Sequence, residues 1–315
     1  MNILFLLRDE FYEANPKVIE DAKQLGANVH VLYTASLQKE ELFTHVANVD
    51  IIVTAVVKID REVIDRAPKL KYIIKFGAGY DNIDVAYARS KGILVSNAPG
   101  QNAKSVADLA FALMLSAARN LPQKDREVKS DHWELSIGNE VFGKRLGLIG
   151  FGSIGQAIAK RASGFEMDTI AYGNYKNYEA AEKWNVRFVD LPELLTTSDF
   201  VVICTSLTEK NRKMINRQTL ELMKQSAILI NISRGGLIDE DDLIGALKEK
   251  RIKGAALDVF ASEPPKNELA KLPNVIATPH IGGATYEAID NIGKITISNI
   301  RKFMAKQKVD YIVRL

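Results

Sequence analysis

Short apolar runs alternate with stretches of helical periodicity along almost the whole chain. The runs are Ile3 to Leu7, Val29 to Tyr33, Ile51 to Val56, Tyr72 to Lys75, Leu94 to Ser96, Leu146 to Ile149, Thr169 to Tyr172, Phe200 to Cys204, Ile228 to Ile232 and Gly254 to Asp258. Most are apolar at consecutive rather than alternate positions, the pattern of parallel strands buried on both faces. With helices predicted between them, the fold class is α/β, built on parallel sheets.

One turn between a strand and a helix stands apart. Gly150, Gly152 and Gly155 form a G-x-G-x-x-G directly after Arg145-Leu-Gly-Leu-Ile149 and directly before Gln156-Ala-Ile-Ala-Lys-Arg161. This spacing lets the first glycine turn tightly, the second admit a pyrophosphate against the backbone, and the third pack helix on strand. The phosphates would then meet free N–H groups at a helix N-terminus, with Ser153 and Ile154 inside the loop. A glycine-rich turn that only lets two elements pack closely is the plainer alternative.

Such a fingerprint belongs at the first strand of its own domain, yet five of the strands precede it. Two Rossmann-like sheets are therefore expected. Turn chemistry at Asn97-Ala-Pro-Gly100 marks one crossing between domains, and Gly282-Gly283, ahead of a last helix running to about Ala305, marks another. The expected organisation is a discontinuous substrate-binding domain, 1–98 with 284–315, and a dinucleotide-binding domain, 99–283, inserted into it. The helix pattern from Lys104 to Asn120 is apolar on almost every face, so it must be covered on both sides. Packing against its own domain and a second copy would do this, and a homodimer through 104–120 is expected.

Composition narrows the classes. The 315 residues are 47% hydrophobic and 26% charged, ordinary for a globular chain with room for two cores. Forty-two Lys and Arg against 39 Asp and Glu leave a formal charge of +3 without long like-charge runs, so no nucleic-acid footprint is expected. The one cysteine, Cys204, excludes an intrachain disulfide and a cysteine-based zinc site, and no metal is expected. That cysteine usage fits a reducing compartment, by default the cytoplasm. The apolar start from Met1 to Leu7 is too short for a signal segment, and no stretch reaches the length of a membrane span.

Three later segments place polar residues at or just past the carboxyl ends of parallel strands, where ligands of such sheets bind. They are Asn231-Ile-Ser-Arg-Gly-Gly236, Asp258-Val-Phe-Ala-Ser-Glu-Pro-Pro265 and Thr278-Pro-His-Ile-Gly-Gly283. Arg234 has a planar fork able to hold a carboxylate or a developing oxyanion. His280 can give and take a proton near neutrality, and Glu263 is the candidate to orient it. His30, His45 and His132 lie outside such motifs and read as surface or structural.

With these residues in place, the chain resembles the D-isomer-specific 2-hydroxyacid dehydrogenases. The likeness covers nearly its whole length: Phe76-Gly-Ala-Gly-Tyr-Asp-Asn-Ile-Asp84, Asn97-Ala-Pro-Gly100, the Gly150 fingerprint, Ser233-Arg-Gly-Gly236, the Asp258 to Pro264 run and Pro279-His-Ile-Gly-Gly283, in family order. The resemblance implies hydride transfer between a nicotinamide dinucleotide and a 2-oxo acid. It implies that Arg234 binds the substrate and polarises its carbonyl, that His280 is the acid/base, and that Glu263 is its partner. It assigns the amides of Ala78 and Gly79 to the substrate carboxylate and Asp258 to the nicotinamide carboxamide. Cys204, Thr205 and Ser233 join the fingerprint residues as cofactor-binding candidates.

Two departures shape the expected specificity. An NAD site wants an acid at the end of its second strand, but Thr169-Ile-Ala-Tyr172 runs into Gly173-Asn-Tyr-Lys176, and Asp168 stands at the other end. Asn174 and Lys176 could donate to a 2′-phosphate, so dual use of NAD and NADP, or a lean toward NADP, is expected. Thr205-Ser206, where relatives tend to have a proline, widens the same pocket. The loop Thr54-Ala-Val-Val-Lys58 matches the position where phosphoglycerate-type members use arginine, and Val56 and Val57 make it apolar despite Lys58. The chain also stops at Leu315, before the regulatory domain that often follows in those members. The expected substrate is thus a small unphosphorylated 2-oxo acid, pyruvate giving D-lactate first. Glyoxylate or hydroxypyruvate reduction and 3-phosphoglycerate oxidation are the alternatives, and a nucleotide-sensing co-repressor on the same fold is the competing class.

Overall fold

In the computed structural model, which describes residues 1–34 and 37–314, the chain divides into two compact units. Met1–Asn102 with Gly283–Leu315 form the first, and Ala103–Gly282 form the second.

The first unit is built on a parallel sheet of β1 (Asn2–Leu7), β2 (Asn28–Tyr33), β3 (Ile51–Thr54), β4 (Tyr72–Lys75) and β5 (Leu94–Ser96), in the order β2-β1-β3-β4-β5. Successive side chains of β1 feed opposite cores, because a strand points alternate residues to opposite faces. Leu4 and Leu6 pack with Ile52 and Ile73 on one face, while Ile3, Phe5 and Leu7 pack with Ile51 and Ile74 on the other. The helix Tyr286–Met304 covers this second face through Ile289, Ile292, Ile297 and Ile300, with Thr285 capping it by accepting from Ala288 N at 3.2 Å. β3 is shorter than its apolar run predicts, because the chain turns away after Thr54.

The second unit holds β6 (Arg145–Ile149), β7 (Asp168–Tyr172), β8 (Val186–Phe188), β9 (Phe200–Ile203), β10 (Ile228–Asn231), β11 (Gly254–Leu257) and β12 (Val275–Ala277). Their order is β12-β11-β10-β9-β6-β7-β8, all parallel, so strand order reverses between β6 and β9. β8 and β12 were not predicted: each is a three-residue edge strand, β8 interrupted by Arg187 and β12 too short to stand out as an apolar run.

The helix Ala103–Arg119 packs its apolar residues into its own unit. Val106, Ala107, Ala110, Phe111, Leu113 and Met114 are buried there with the helix Ser153–Ala162 and β10. Leu109, Leu115 and Ala117 are only half-buried and Ala112 is exposed, so its own unit covers most but not all of the helix. The conspicuous uncovered apolar side chains are Trp133, Leu135 and Ile137, which are 89%, 92% and 86% exposed on a segment with no helix or strand. Among the described residues, no helix is long and apolar enough to cross a membrane.

Candidate active site

The fingerprint loop leaves β6 at the point where strand order reverses. Gly150 has φ +110°, and a Cβ there would lie 2.8 Å from the Thr205 amide nitrogen; a Cβ at Gly155 would lie 2.5 Å from the Gly150 carbonyl oxygen. Both glycines are required by the protein's own packing. Gly152 is different, because a Cβ there meets nothing within 4 Å. It stands at the N-cap of the helix Ser153–Ala162, where no side chain caps the first turn. A helix end left open to a ligand, behind a glycine the protein does not need, fits a pyrophosphate.

Gly152→Ala is accordingly expected to leave stability within about 0.5 kcal/mol while raising the dinucleotide Kd about tenfold or more, a loss of about 1.4 kcal/mol. Thermal unfolding beside a fluorescence titration of NADH checks this; unchanged binding would mean that the loop holds no phosphates.

Cys204, just past β9, supports this loop from behind rather than lining a surface. Its thiol donates to the Gly150 carbonyl at 3.0 Å, and burial pushes the thiol up to about 12, so it stays a protonated donor. Ser233 Oγ donates to the Thr205 carbonyl, tying the ends of β9 and β10 together. β7 ends at Tyr172, and Asn174 and Lys176 are exposed on the loop that follows. Asp168, at the amino end, is held by Arg145 at 2.6 Å.

Arg234, Glu263 and His280 are placed by three different loops of this unit. Asn231, fully buried at the end of β10, shapes the first: its Nδ2 donates to the Arg234 carbonyl at 2.9 Å and its Oδ1 accepts from Ser233 N at 3.1 Å. Arg234 is half-buried, with Nη1 donating to the Ser233 carbonyl at 2.7 Å. Glu240 secures the second loop, accepting from Ala261 N at 2.7 Å and from Asn267 Nδ2 at 2.6 Å.

The third loop holds His280 at φ +55°, an uncommon conformation for a residue with a side chain. Asp258 fixes it there. The Asp258 carboxylate is 1% exposed and accepts from Thr278 Oγ1 at 2.6 Å, Ile281 N at 2.8 Å and Gly282 N at 2.9 Å, while its own carbonyl accepts from His280 N at 2.9 Å. Three of the roughly four acceptor positions of a carboxylate are thereby committed to this loop. In this structure Asp258 positions His280.

His280 Nδ1 donates to Glu263 Oε2 at 2.8 Å. Burial pushes the Glu263 carboxyl upward, but the His280 hydrogen bond and charge, the Phe260 amide and the Arg234 charge outweigh it and hold the acid below the ordinary glutamate range. Glu263 is therefore ionised at neutral pH, and its partnership with His280 is lost only as pH falls through that lowered value. With Nδ1 committed to Glu263, His280 keeps Nε2 for a proton transfer. Glu263→Gln keeps a hydrogen-bond acceptor for Nδ1 but removes the carboxylate charge, so kcat for reduction should fall while the dinucleotide Kd holds. An unchanged kcat would leave Glu263 without a part in the reaction.

In the first unit, the loops after β3 and β4 have their carbonyls engaged from behind. The Gly77 carbonyl accepts from Ala98 N at 2.9 Å and the Ala78 carbonyl from Asn97 Nδ2 at 2.6 Å. With the Ala78 carbonyl taken, what its backbone has left to offer a ligand is the N–H group, which suits an anion. Val56 is exposed and Val57 half-buried beside exposed Lys58. His30, His45 and His132 are exposed. Sequence reasoning did not single out Asn231, Glu240 or Thr278. Asn231 and Thr278 open two of the motifs it read, whereas nothing local marks Glu240.

Known proteins resemble this chain in sequence and fold. Residues 111–282 match the family described as D-isomer specific 2-hydroxyacid dehydrogenase, NAD binding domain. The chain is 42% identical to D-3-phosphoglycerate dehydrogenase of Methanocaldococcus jannaschii over 99% of its own length but only 60% of that protein's. It is 45% identical to glyoxylate reductase of Thermococcus litoralis, over 83% of this chain and 82% of that one. The crystal structure of D-lactate dehydrogenase from Aquifex aeolicus complexed with NAD and lactic acid superposes with a TM-score of 0.87 at 27% identity, covering 99% of both chains. Fold, fingerprint and relatives converge, and the chain belongs to the D-isomer specific 2-hydroxyacid dehydrogenase family.

Proposed function

We propose that the protein reduces a small unphosphorylated 2-oxo acid to its D-2-hydroxy acid at the expense of NADH or NADPH. The observation that carries this reading is the Glu263–His280 pair at 2.8 Å in the same unit as the open-ended fingerprint helix. The nicotinamide, when bound, supplies the hydride. Gly150, Gly152, Ser153, Ile154 and Gly155 are assigned to the dinucleotide phosphates, and Thr205 and Ser233 to its remaining contacts. Arg234 receives the substrate carbonyl and stabilises negative charge on its oxygen. His280 Nε2 delivers the proton to that oxygen. In the first unit, the Ala78 and Gly79 amides are assigned to a carboxylate.

Glyoxylate now stands ahead of pyruvate, because relatives named glyoxylate reductase match this chain at 40 to 45% identity. The phosphoglycerate reading is disfavoured by the apolar Val56-Val57 turn, which offers no arginine to a phosphate. The deciding experiment is a panel of glyoxylate, pyruvate, hydroxypyruvate and 3-phosphohydroxypyruvate, each with both dinucleotides. Turnover confined to the phosphorylated acid would overturn the substrate assignment, and no turnover at all would favour a nucleotide-sensing binding role.

We propose use of both dinucleotides, since Asn174 and Lys176 carry no charge that repels a 2′-phosphate. Asn174→Asp sets a carboxylate against that phosphate, and should lower kcat/KM for NADPH relative to NADH about tenfold, the equivalent of about 1.4 kcal/mol. An unmoved ratio would place the discrimination elsewhere. A homodimer is supported by Trp133, Leu135 and Ile137, which a second copy would cover. Light scattering should give twice the mass of one chain, and Trp133→Ser with Leu135→Ser should give one.

A further inference from the structure

The first unit carries a buried ammonium that the assigned chemistry does not use. Lys75 ends β4 and is only 9% exposed. Its Nζ donates to the Ala55 carbonyl and, at 2.8 Å, to Asn82 Oδ1. That second contact fixes which way the Asn82 amide faces. Asn82 Nδ2 then donates to the Val57 carbonyl at 2.7 Å and to the Ala55 carbonyl at 3.4 Å. Thr54 Oγ1 adds a bond to the Val57 carbonyl at 3.1 Å, and Ile59 N donates to the Asn82 carbonyl at 2.8 Å. The turn 55–57 is thus gripped by both of its flanking carbonyls, with Val56 standing 45% exposed between them.

We propose that Lys75 and Asn82 are positioning residues for substrate selection. They hold Ala55-Val56-Val57 as an apolar wall at the carboxyl edge of the first unit's sheet, which selects among 2-oxo acids by their substituent. The inference rests on the reading of the protein as a 2-oxo acid reductase. Its physical basis is the place of the clamp in the sheet. Strand order in the first unit reverses between β1 and β3, and ligands of such sheets bind outside the carboxyl ends of the strands at that point. The loops after β3 and β4 both lie on that edge.

The clamp also decides what the wall can offer. The carbonyls of Ala55, Val57, Gly77 and Ala78 all accept bonds from within the unit, so at these four positions the loops do not offer a carbonyl to a ligand, and Val56 presents an apolar side chain. A carboxylate with a small apolar substituent suits such a surface better than a distal ammonium, which would find those four carbonyls already engaged. Burying a lysine is costly, and the ammonium reaches two loops at once from a strand end, which a neutral side chain of the same length would not do.

The test compares glyoxylate, which has no substituent beyond its carbonyl carbon, with 2-oxobutyrate, which has an ethyl group. Asn82→Asp keeps an acceptor for Lys75 but removes both donors to the turn; Lys75→Met removes the ammonium. Each variant is expected to raise KM for 2-oxobutyrate about tenfold more than KM for glyoxylate, the scale of a wall displaced by a fraction of an ångström. The Kd for NADH, read by fluorescence, should stay within about twofold, since the fingerprint lies in the other unit. Equal changes for the two acids, or a parallel loss of NADH binding, would overturn the clamp as a selectivity device. If Lys75→Met fails to fold, Asn82→Asp carries the same comparison. Wild-type protein that reduces neither acid would overturn the proposed function itself, whereas an active wild type with an unmoved ratio overturns only the clamp.

Discussion

Replacing His280 with alanine is expected to lower kcat for 2-oxo acid reduction by roughly 10²–10⁴-fold, the usual scale for a positioned general acid. The Kd for the dinucleotide should hardly move. The expectation follows from how the loop is built. Its backbone is held by Asp258 through Thr278, Ile281 and Gly282, none of which depends on the imidazole. Truncation therefore removes a proton donor without releasing the loop. Steady-state rates beside an NADH titration separate the two outcomes, and near-native turnover would remove His280 from the mechanism.

Gly235→Ala should be damaging for a different reason. A Cβ at Gly235 would lie 1.9 Å from the Phe260 carbonyl carbon and 2.2 Å from Ala261 N, backbone atoms that cannot turn aside as a side chain could. The loop bearing Arg234 and the loop leading to Glu263 must then separate. Overpacking of this kind costs on the order of 1–3 kcal/mol or more, and at about 2–4 °C per kcal/mol for a unit of this size the melting temperature should fall by roughly 2–12 °C. Activity should fall with it, because both functional side chains shift. Gly236→Ala is the control. Its Cβ would crowd Leu207 Cδ2 at 3.0 Å and reach Arg212 Nη1 at 3.5 Å, both far ends of flexible side chains, and the effect should be small. Equal effects of the two substitutions would show that the loops do not depend on this contact.

The sequence made the repeating scaffold legible because parallel strands buried on both faces need unbroken apolar runs. It did not reveal β8, where Arg187 interrupts Val186 and Phe188, or β12, whose Val275 and Ile276 are only half-buried. Edge strands are specified by the neighbour they pair with, and a three-residue run carries little signal of its own. The end of β3 was misplaced for a similar reason. Val56 continues the apolar pattern, but the carbonyls on either side are drawn away by Lys75 and Asn82 from elsewhere in the chain.

The reach of the pattern was also limited at the helix Ala103–Arg119. Hydrophobicity on every face says that a helix is covered, and not by what. Here most of the cover comes from the helix Ser153–Ala162 and the sheet of the same unit, while Ala112 stays exposed and Leu109 and Leu115 half-buried. At the candidate site, the motifs identified Arg234, Glu263 and His280 because their residue types suit the chemistry. The left-handed backbone of His280 and the three donors on Asp258 lay beyond reach, since they arise from contacts across 20 to 24 positions.

The central claim is that this protein moves a hydride to the carbonyl carbon of a 2-oxo acid and yields the D-isomer. Pyruvate gives a chiral product, so it reads both parts at once. The protein is mixed with pyruvate and NADH dideuterated at the nicotinamide C4, and the lactate formed is analysed for label and configuration. The expected result is one deuterium at C2 and D-lactate alone. Lactate without deuterium at C2, or of L configuration, would contradict the account.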